Sequence, residues 1–149
     1  MMAKADPPVA DHRLRRRVQF HETDMAGLVH FSRFFNYMEG AEHALWRAAG
    51  ISIHPKGSEI GWPRLHASFE FHRALRFEDE FEIWIRVAAM DERTIRYVCV
   101  LTRDDTKIAT GSLTIACATR RPNEPMRAMD IPPEIAARFS VAQSEERAS

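Results

Sequence analysis

The chain has 149 residues, of which 45% are hydrophobic and 28% charged, a composition typical of one soluble globular domain with a substantial core. Basic and acidic residues number 21 each, so no surplus positive charge favours binding to nucleic acid or to an anionic membrane. Because we find no apolar leader in residues 1–11 and no apolar run long enough to span a bilayer, we expect a cytoplasmic protein without membrane insertion.

The first predicted element is a strand over residues 14–20, where apolar and polar side chains alternate. A helix is predicted over residues 31–49 from its helical periodicity, so Asp24 lies at a strand-to-helix junction. At such a junction the first helical N–H groups have no partner within the helix and carry partial positive charge. They are therefore suited to a thioester oxygen that becomes negative during attack.

The predicted helix has a wide apolar face and a narrow polar stripe, so we expect other structure to wrap most of it. Glu42 falls on the apolar side, and because a buried carboxylate requires partners, we expect it to be paired at a subunit interface rather than near the active cleft. Gly50 is a plausible C-cap, and residues 51–61 are predicted to form a loop. The apolar face consists of Phe31, Phe34, Phe35, Met38, Ala41, Leu45, Ala48 and Ala49.

Four further strand-like runs follow the loop, and short links at residues 91–93 and 103–106 make them antiparallel neighbours. One long helix and five strands predict a single α+β domain, with the helix packed across a curled antiparallel sheet. We expect an ordered core over about residues 12–140, with flexible ends at residues 1–11 and 143–149. The four runs are residues 64–72, 79–90, 94–102 and 107–119.

We expect the two cysteines and the arginines of the first strand to have structural roles and no catalytic role. Cys99 and Cys117 lie inside strand-like runs without CxxC spacing, so we expect buried thiols rather than a disulfide framework or a metal site. The arginines of the first strand would be divided between the two faces of the sheet by alternation, and we interpret them as a solvated edge. These are Arg13, Arg15, Arg16 and Arg17.

The order of a strand, the pattern Asp-x-x-Gly-x-Val and a long helix with an acidic residue near its middle resembles a known enzyme family. Asp24, Gly27, Val29 and Glu39 supply this pattern, which is similar to that of the hot-dog acyl-CoA thioesterases of the 4-hydroxybenzoyl-CoA thioesterase type, including the Tol-Pal-associated enzymes. Further similarity at residues 74–83 and 131–139 extends the resemblance over about residues 13–139. It implies a hot-dog fold and homodimers or homotetramers in which two subunits share each active site.

The resemblance implies that Asp24 is the catalytic carboxylate, acting as nucleophile through an acyl-enzyme anhydride or as general base on water. The structural alternative is that Asp24 only caps the helix or organises the turn. Gly27 would permit an unusual backbone conformation or close approach of the ligand. By resemblance, the backbone amide of Phe31 polarises the thioester carbonyl.

Other candidate residues carry equally open alternatives. His30 departs from the family, which commonly has an aromatic residue there, and it would either orient Asp24 or the substrate or cap the helix. Arg93 and Thr94 resemble the positions that contact the nucleotide end of coenzyme A, although an ordinary solvated hairpin has the same composition. Candidates for shaping the acyl pocket are Phe34, Phe35, Trp62, His66 and Trp84.

The sequence therefore predicts a thioesterase that hydrolyses an acyl-CoA, with no metal and no cofactor other than coenzyme A as part of the substrate. One alternative is a catalytically weak hot-dog protein that binds acyl-CoA or partner proteins. Another is a hot-dog dehydratase or hydratase, because such enzymes use a histidine with a carboxylate and this loop contains His30 and Asp24. The identity of the acyl group is left open.

Overall fold

The computed structural model describes residues 6–143, which form one long helix, seven strands, a 3-10 turn and a short second helix. The long helix α1 spans Phe31–Ala48, the turn spans Phe20–Glu22, and the short helix α2 spans Pro133–Ala136. The strands are β1 (Asp11–Arg17), β2 (Ile60–Gly61), β3 (Arg64–Phe71), β4 (Glu80–Met90), β5 (Thr94–Arg103), β6 (Thr106–Ala116) and β7 (Ala118–Thr119).

The main sheet has the strand order β1-β4-β5-β6-β3, and every neighbouring pair is antiparallel. β2 and β7 form a separate two-stranded pair. Helix α1 packs on one face of the main sheet, in contact with β1, β3 and β4. The predicted α+β layout, one long helix packed on a five-stranded antiparallel sheet, is confirmed.

The core lies between α1 and the sheet. In β4 the side chains of Phe81, Ile83, Ile85 and Val87 are all buried, whereas the alternate residues are only partly covered or exposed. The predicted alternation of this strand is therefore confirmed. Residues 6–143 contain no helix that combines the length and the apolar character needed to cross a membrane.

The buried face of α1 differs from the predicted apolar face. Tyr37 and Trp46 are buried, whereas Phe31 at the start of the helix is 62% exposed. Both buried side chains find hydrogen-bond partners inside the protein, since Tyr37 donates to Glu22 and Trp46 donates to Tyr97. A large ring enters a core readily when its polar atom is satisfied in this way.

The first strand begins and ends earlier than predicted. It ends at Arg17, and Phe20 belongs to the 3-10 turn, which is closed by reciprocal bonds between Gln19 and Glu22. Near the start of the described chain, Val9 donates to Arg138 and the adjacent residue 10 accepts from residue 87. The flexibility expected of residues 1–11 and 143–149 stays a prediction. The expected flexible residues 1–5 and 144–149 lie outside the described part of the chain.

Two further element boundaries, around residues 60 and 117, differ from those predicted. Ile60–Gly61 is strand β2 rather than loop, and the run predicted over residues 107–119 breaks at Cys117. The N–H of Cys117 donates to the carbonyl of Arg93, after which the chain leaves β6 and pairs with β2. A single alternating run therefore supplies strands to two different sheets.

The long strands give the sheet two well-separated ends. At one, which we call the Asp24 end, β1 and β3 finish, β4 begins, and the loop over residues 23–30 crosses to α1. The other, the Trp62 end, carries the hairpin between β4 and β5 and the small sheet of β2 and β7. Eleven residues in β4 correspond to roughly 35 Å at about 3.4 Å per residue.

Candidate active site

The loop at the Asp24 end is a tight turn built around the Asp24 side chain. Its Oδ1 accepts hydrogen bonds from the N–H groups of Ala26, at 2.8 Å, and Leu28, at 3.2 Å. The carbonyl of Asp24 accepts from Gly27, which adopts φ +79°. A Cβ on Gly27 would meet no atom within 4 Å, so the turn needs glycine for its backbone conformation and not for close packing.

The second carboxylate oxygen of Asp24 is in a different situation. Asp24 is exposed, and Oδ2 accepts no hydrogen bond from residues 6–143. The residue thus organises the turn with one oxygen and presents the other to the space outside the loop. The two roles that the sequence left as alternatives are compatible in this geometry.

His30 is the N-cap of α1. Its Nδ1 accepts a hydrogen bond from the N–H of Ser32 at 3.2 Å and lies 2.8 Å from the Ser32 hydroxyl. Of its two expected roles, capping is the one observed. The N–H of Phe31, the first residue of the helix, has no partner among residues 6–143, as expected of a helix terminus.

An apolar cavity of about 300 Å³ lies between the start of α1 and the end of β3. Leu28, whose N–H binds Asp24, is in its wall, so the cavity adjoins the Asp24 turn. Phe34 and Phe71 form an edge-to-face pair there with ring centroids 5.0 Å apart. The lining residues are Leu28, Val29, Phe31, Phe34, Phe71, His72, Arg73, Ala74 and Leu75.

A larger surface cleft, of about 450 Å³, lies beside the ends of β1 and β5. All of its lining side chains are charged, and they form ion pairs such as Arg17 with Glu80 at 2.7 Å. It offers no apolar wall for an acyl group, so the smaller cavity is the better candidate. The cleft is lined by Arg15, Arg17, Glu78, Asp79, Glu80, Arg103 and Asp104.

Three of the predicted substrate-binding residues lie at the Trp62 end, remote from Asp24. Arg93 is exposed and pairs with Asp130 at 2.9 Å, which keeps the pKa of its guanidinium above the usual range. Thr94 donates its N–H to Asp91. Trp62 lines a cavity of about 380 Å³ at the same end. Within one chain, the length of the sheet separates all three from the Asp24 turn.

The remaining predicted pocket residues divide between the two faces of the sheet. Phe34 lines the cavity beside Asp24, and Phe35 packs edge-to-face on Phe69. The ring contacts of Phe69 place residues 67, 69 and 71 of β3 towards α1, so His66, which follows the bulge, lies on the opposite face. Trp84 also lies on that face.

The pocket role expected of Trp84 stays a prediction, and its side chain has partners in β1. Its indole N–H donates to Asp11 at 2.7 Å, and the guanidinium of Arg13 lies 4.0 Å from the ring centroid. Trp84 is therefore occupied on the face of the sheet that α1 does not cover. The arginines of β1 divide as predicted, with only Arg16 turned towards α1 and the other three exposed.

Glu42 is completely buried, but its partner belongs to the same chain. Arg64 binds it with two hydrogen bonds, of 2.6 and 3.2 Å, and also pairs with Glu39 at 3.2 Å. Burial raises the pKa of Glu42, while the two carboxylates raise the pKa of Arg64. The expectation of an intersubunit partner is wrong, because a bulge at the start of β3 turns Arg64 onto the helix.

Both cysteines lie in the protein interior. Cys99 and Cys117 are free and buried, as predicted. Burial raises the pKa of the Cys99 thiol to about 12. Among residues 6–143, no three His, Cys, Asp or Glu side chains are grouped closely enough to hold a metal ion.

The sequence analysis did not identify a buried polar cluster around Glu22, two residues before Asp24. Glu22 is 4% exposed and contacts Arg16 and Tyr37. The spacing Gln19-x-x-Glu22 resembles a capping box and was the available signal, although glutamine is an unusual first residue for one. The cavity residues His72 and Arg73 were also missed, because their role depends on where β3 ends.

The sequence pattern of the thioesterase-like superfamily matches residues 18–139. A 1,4-dihydroxy-2-naphthoyl-CoA hydrolase of Synechococcus elongatus is 27% identical over 112 residues, which cover 73% of this chain and 82% of that protein.

Solved structures show the same fold. A hypothetical protein from Aquifex aeolicus has a TM-score of 0.80 and 25% identity, covering 87% of this chain and 99% of that one. A 1,4-dihydroxy-2-naphthoyl-CoA thioesterase from Synechocystis has a TM-score of 0.77 and 16% identity, covering 86% of this chain and 95% of that one.

The protein is a hot-dog fold protein, with one long helix against a five-stranded antiparallel sheet. Within that class, the chain belongs to the thioesterase-like superfamily. The predicted family and its enzyme class, thioester hydrolases, are therefore confirmed.

Proposed function

We propose that this protein hydrolyses an acyl-CoA thioester, with Asp24 as nucleophile or general base and the backbone N–H of Phe31 as oxyanion donor. The observation that supports this most strongly is the Asp24 turn itself. A carboxylate with one free oxygen lies directly ahead of the Phe31 N–H, which has no partner among residues 6–143, and beside an apolar cavity. The named Synechococcus relative is a CoA thioester hydrolase, which supports coenzyme A as the carrier.

The chemistry requires an oxygen nucleophile and stabilisation of the oxyanion. In one route the Asp24 carboxylate attacks the carbonyl carbon and the C–S bond breaks, so coenzyme A leaves as its thiolate. Water then hydrolyses the resulting anhydride to free acid and the Asp24 carboxylate, and the proton it releases is taken up by the thiolate. In the other route, Asp24 takes a proton from water as the water oxygen attacks, the same C–S bond breaks, and the departing thiolate receives that proton. In both routes the carbonyl oxygen becomes negative near the N–H of Phe31, and the proposal requires no cofactor.

We further propose that two subunits share each site through pairing of their β3 edges. β3 is an edge strand with Leu65 60% exposed and Phe71 48% exposed, whereas the opposite edge, β1, is rich in arginine. Charged side chains discourage edge pairing, so β3 is the favoured edge. Antiparallel pairing about the middle of β3 would bring the Trp62 end of one subunit to the Asp24 end of the other.

Such a dimer would allow the predicted substrate-binding residues at the Trp62 end to contact substrate. Arg93, Thr94 and Trp62 would then serve the site of the partner subunit, where a cation can meet the phosphates of coenzyme A. His66 lies on the same edge strand. Hydratase chemistry is a weaker candidate, because the Nδ1 atom of His30 caps the helix.

The test is Asp24→Asn assayed on aromatic, short and long acyl-CoA thioesters. The amide preserves an acceptor for the turn but is neither an effective base nor a carboxylate nucleophile. We expect kcat on the best substrate to fall by at least about 10²–10⁴-fold, with little change in Tm.

Asp91→Asn is the matched control. Asp91 also accepts two backbone N–H bonds through one oxygen, from residues 93 and 94, but it stands at the Trp62 end. This variant should retain kcat, and any disturbance of Arg93 and Thr94 should appear in the KM for acyl-CoA. A folded Asp24→Asn protein with near-wild-type turnover would remove Asp24 from the chemistry. A wild-type protein that binds acyl-CoA without turnover would instead indicate the binding-only alternative.

A further inference from the structure

A buried carboxylate lies two residues before Asp24 and is bound from three directions. Oε1 of Glu22 accepts the N–H of Gln19 at 2.8 Å and the hydroxyl of Tyr37 at 2.9 Å. Oε2 lies 3.4 Å from a guanidinium nitrogen of Arg16. Glu22 therefore connects the 3-10 turn, helix α1 and strand β1.

The donors around Glu22 are themselves held in place. Tyr37 is fully buried, and the guanidinium of Arg16 lies over its ring, 4.9 Å from the centroid. Burial and the bond to Glu22 raise the pKa of Tyr37 above its ordinary value, so its hydroxyl remains a donor at neutral pH. A hydrogen-bonded cluster of this kind fixes both distance and direction.

Glu22 contacts both ends of the Asp24 loop. Its side chain is fixed immediately before the loop begins at residue 23. Its backbone carbonyl accepts the N–H of His30, at 2.9 Å, where the loop ends. Asp24 is two residues beyond the first anchor, and Phe31 is one residue beyond the second. The separation between the Asp24 carboxylate and the helix N–H therefore depends on Glu22.

We propose that Glu22, held by Tyr37 and Arg16, is a positioning residue that sets the Asp24 carboxylate against the first N–H of α1. This inference rests on the proposed thioesterase function. At 4% exposure, Glu22 cannot contact substrate, so it acts only through the groups it places. A displacement of about 1 Å in a reacting group can cost about 10²-fold in rate, which gives such a support a measurable effect.

The primary test is Tyr37→Phe, which removes one hydroxyl and leaves the ring. With the acyl-CoA that the wild type hydrolyses fastest, we expect kcat to fall at least about fivefold while KM changes less than about twofold. Tyr97→Phe is the matched control, because Tyr97 is equally buried and its hydroxyl accepts the indole N–H of Trp46. It should lose comparable thermal stability and retain kcat.

A double-mutant cycle separates positioning from loss of folded protein. In the Asp24→Asn background the positioned group no longer acts, so adding Tyr37→Phe should leave the residual rate nearly unchanged. Purely structural damage would instead lower the residual rate by the same factor as in the wild type. That outcome would overturn the inference.

Glu22→Gln provides a second variant of nearly equal volume. The glutamine retains an acceptor for Gln19 but places an N–H donor against Arg16, so kcat should again fall with little change in KM. Folded Tyr37→Phe and Glu22→Gln proteins with kcat within twofold of wild type would refute the role of Glu22 while leaving the proposed function intact. A fully active Asp24→Asn variant would refute both.

Discussion

Asp24 shows how one side chain can be structural and reactive at once. Its Oδ1 closes the turn through Ala26 and Leu28, and its Oδ2 is free of the described protein. Fixing one oxygen removes much of the rotational freedom of the other, which is the entropy that a reacting group must otherwise lose. The turn-forming role thus supports the proposed chemistry instead of competing with it.

At the same scale, we predict that thiol alkylation leaves activity intact. Cys99 and Cys117 are fully buried, and burial raises the pKa of both, that of Cys99 to about 12. The reactive thiolate of Cys99 therefore becomes abundant only as the pH approaches 12, so it is scarce at pH 8. Iodoacetamide at pH 8 should spare acyl-CoA turnover in the folded protein.

Alkylation of the protein in denaturant is the control, and there both thiols should react. Stoichiometric inactivation of the folded enzyme that substrate prevents would contradict the prediction and place a cysteine near the site.

The sequence located Asp24, Gly27 and His30 correctly at a strand-to-helix turn, because glycine, capping and periodicity signals are local. It did not identify Glu22 as buried, since burial depends on Tyr37 and Arg16 in other elements. Contacts between distant segments leave no mark in local spacing. For the same reason the sequence did not predict that Arg64 is the partner of the buried Glu42.

At the scale of elements, the pair of Glu42 and Arg64 fastens α1 to the edge strand β3. We predict an asymmetry between its two halves. Arg64→Met removes two hydrogen bonds from a fully buried carboxylate and leaves it the more distant Nε2 of His43, at 3.8 Å. Removing one partner of a buried ion pair typically costs about 3–5 kcal/mol of unfolding free energy. Glu42→Gln should cost less, because Arg64 is partly exposed and still has Glu39.

The free energy of unfolding of Arg64→Met should depend on pH. In Arg64→Met the folded-state pKa of Glu42, already raised by burial, should rise further above the unfolded value of about 4.3. Stability should then be greatest near or below that unfolded value and decline as the pH rises towards the folded-state pKa. Urea unfolding at pH 5 and pH 8 measures this decline, and adding Glu42→Gln should abolish it.

The helices and strands were predictable to different degrees. α1 and the core strands β4 and β5 carry periodicity over ten or more residues, and their predicted ends agree to within a residue. β3 resembled its neighbours in sequence, yet it is an exposed edge with a bulge after Arg64. An edge position is a property of strand order, which periodicity does not encode.

At the scale of the whole molecule, we predict at least a dimer assembled through β3. Light scattering at micromolar concentration should give twice the chain mass of 17.2 kDa or more. Leu65→Glu places a charge on the proposed edge and should shift the protein towards monomer with loss of turnover.

Val141→Glu is the control, because Val141 is also an exposed apolar residue but neighbours the β4 side of the sheet, where residue 142 binds residue 87. A wild-type monomer that hydrolyses acyl-CoA at full rate would rule out the shared site.

The separation of the two sheet ends has a genetic consequence in the proposed dimer. Asp24 and Trp62 of one chain would belong to two different active sites, because the length of the sheet separates them. A chain defective only at Asp24 and a chain defective only at Trp62 would therefore complement each other when they assemble together. One site of the mixed pair inherits both defects and the other inherits neither. Placing both defects in one chain and pairing it with an intact chain would instead leave each site with a single lesion.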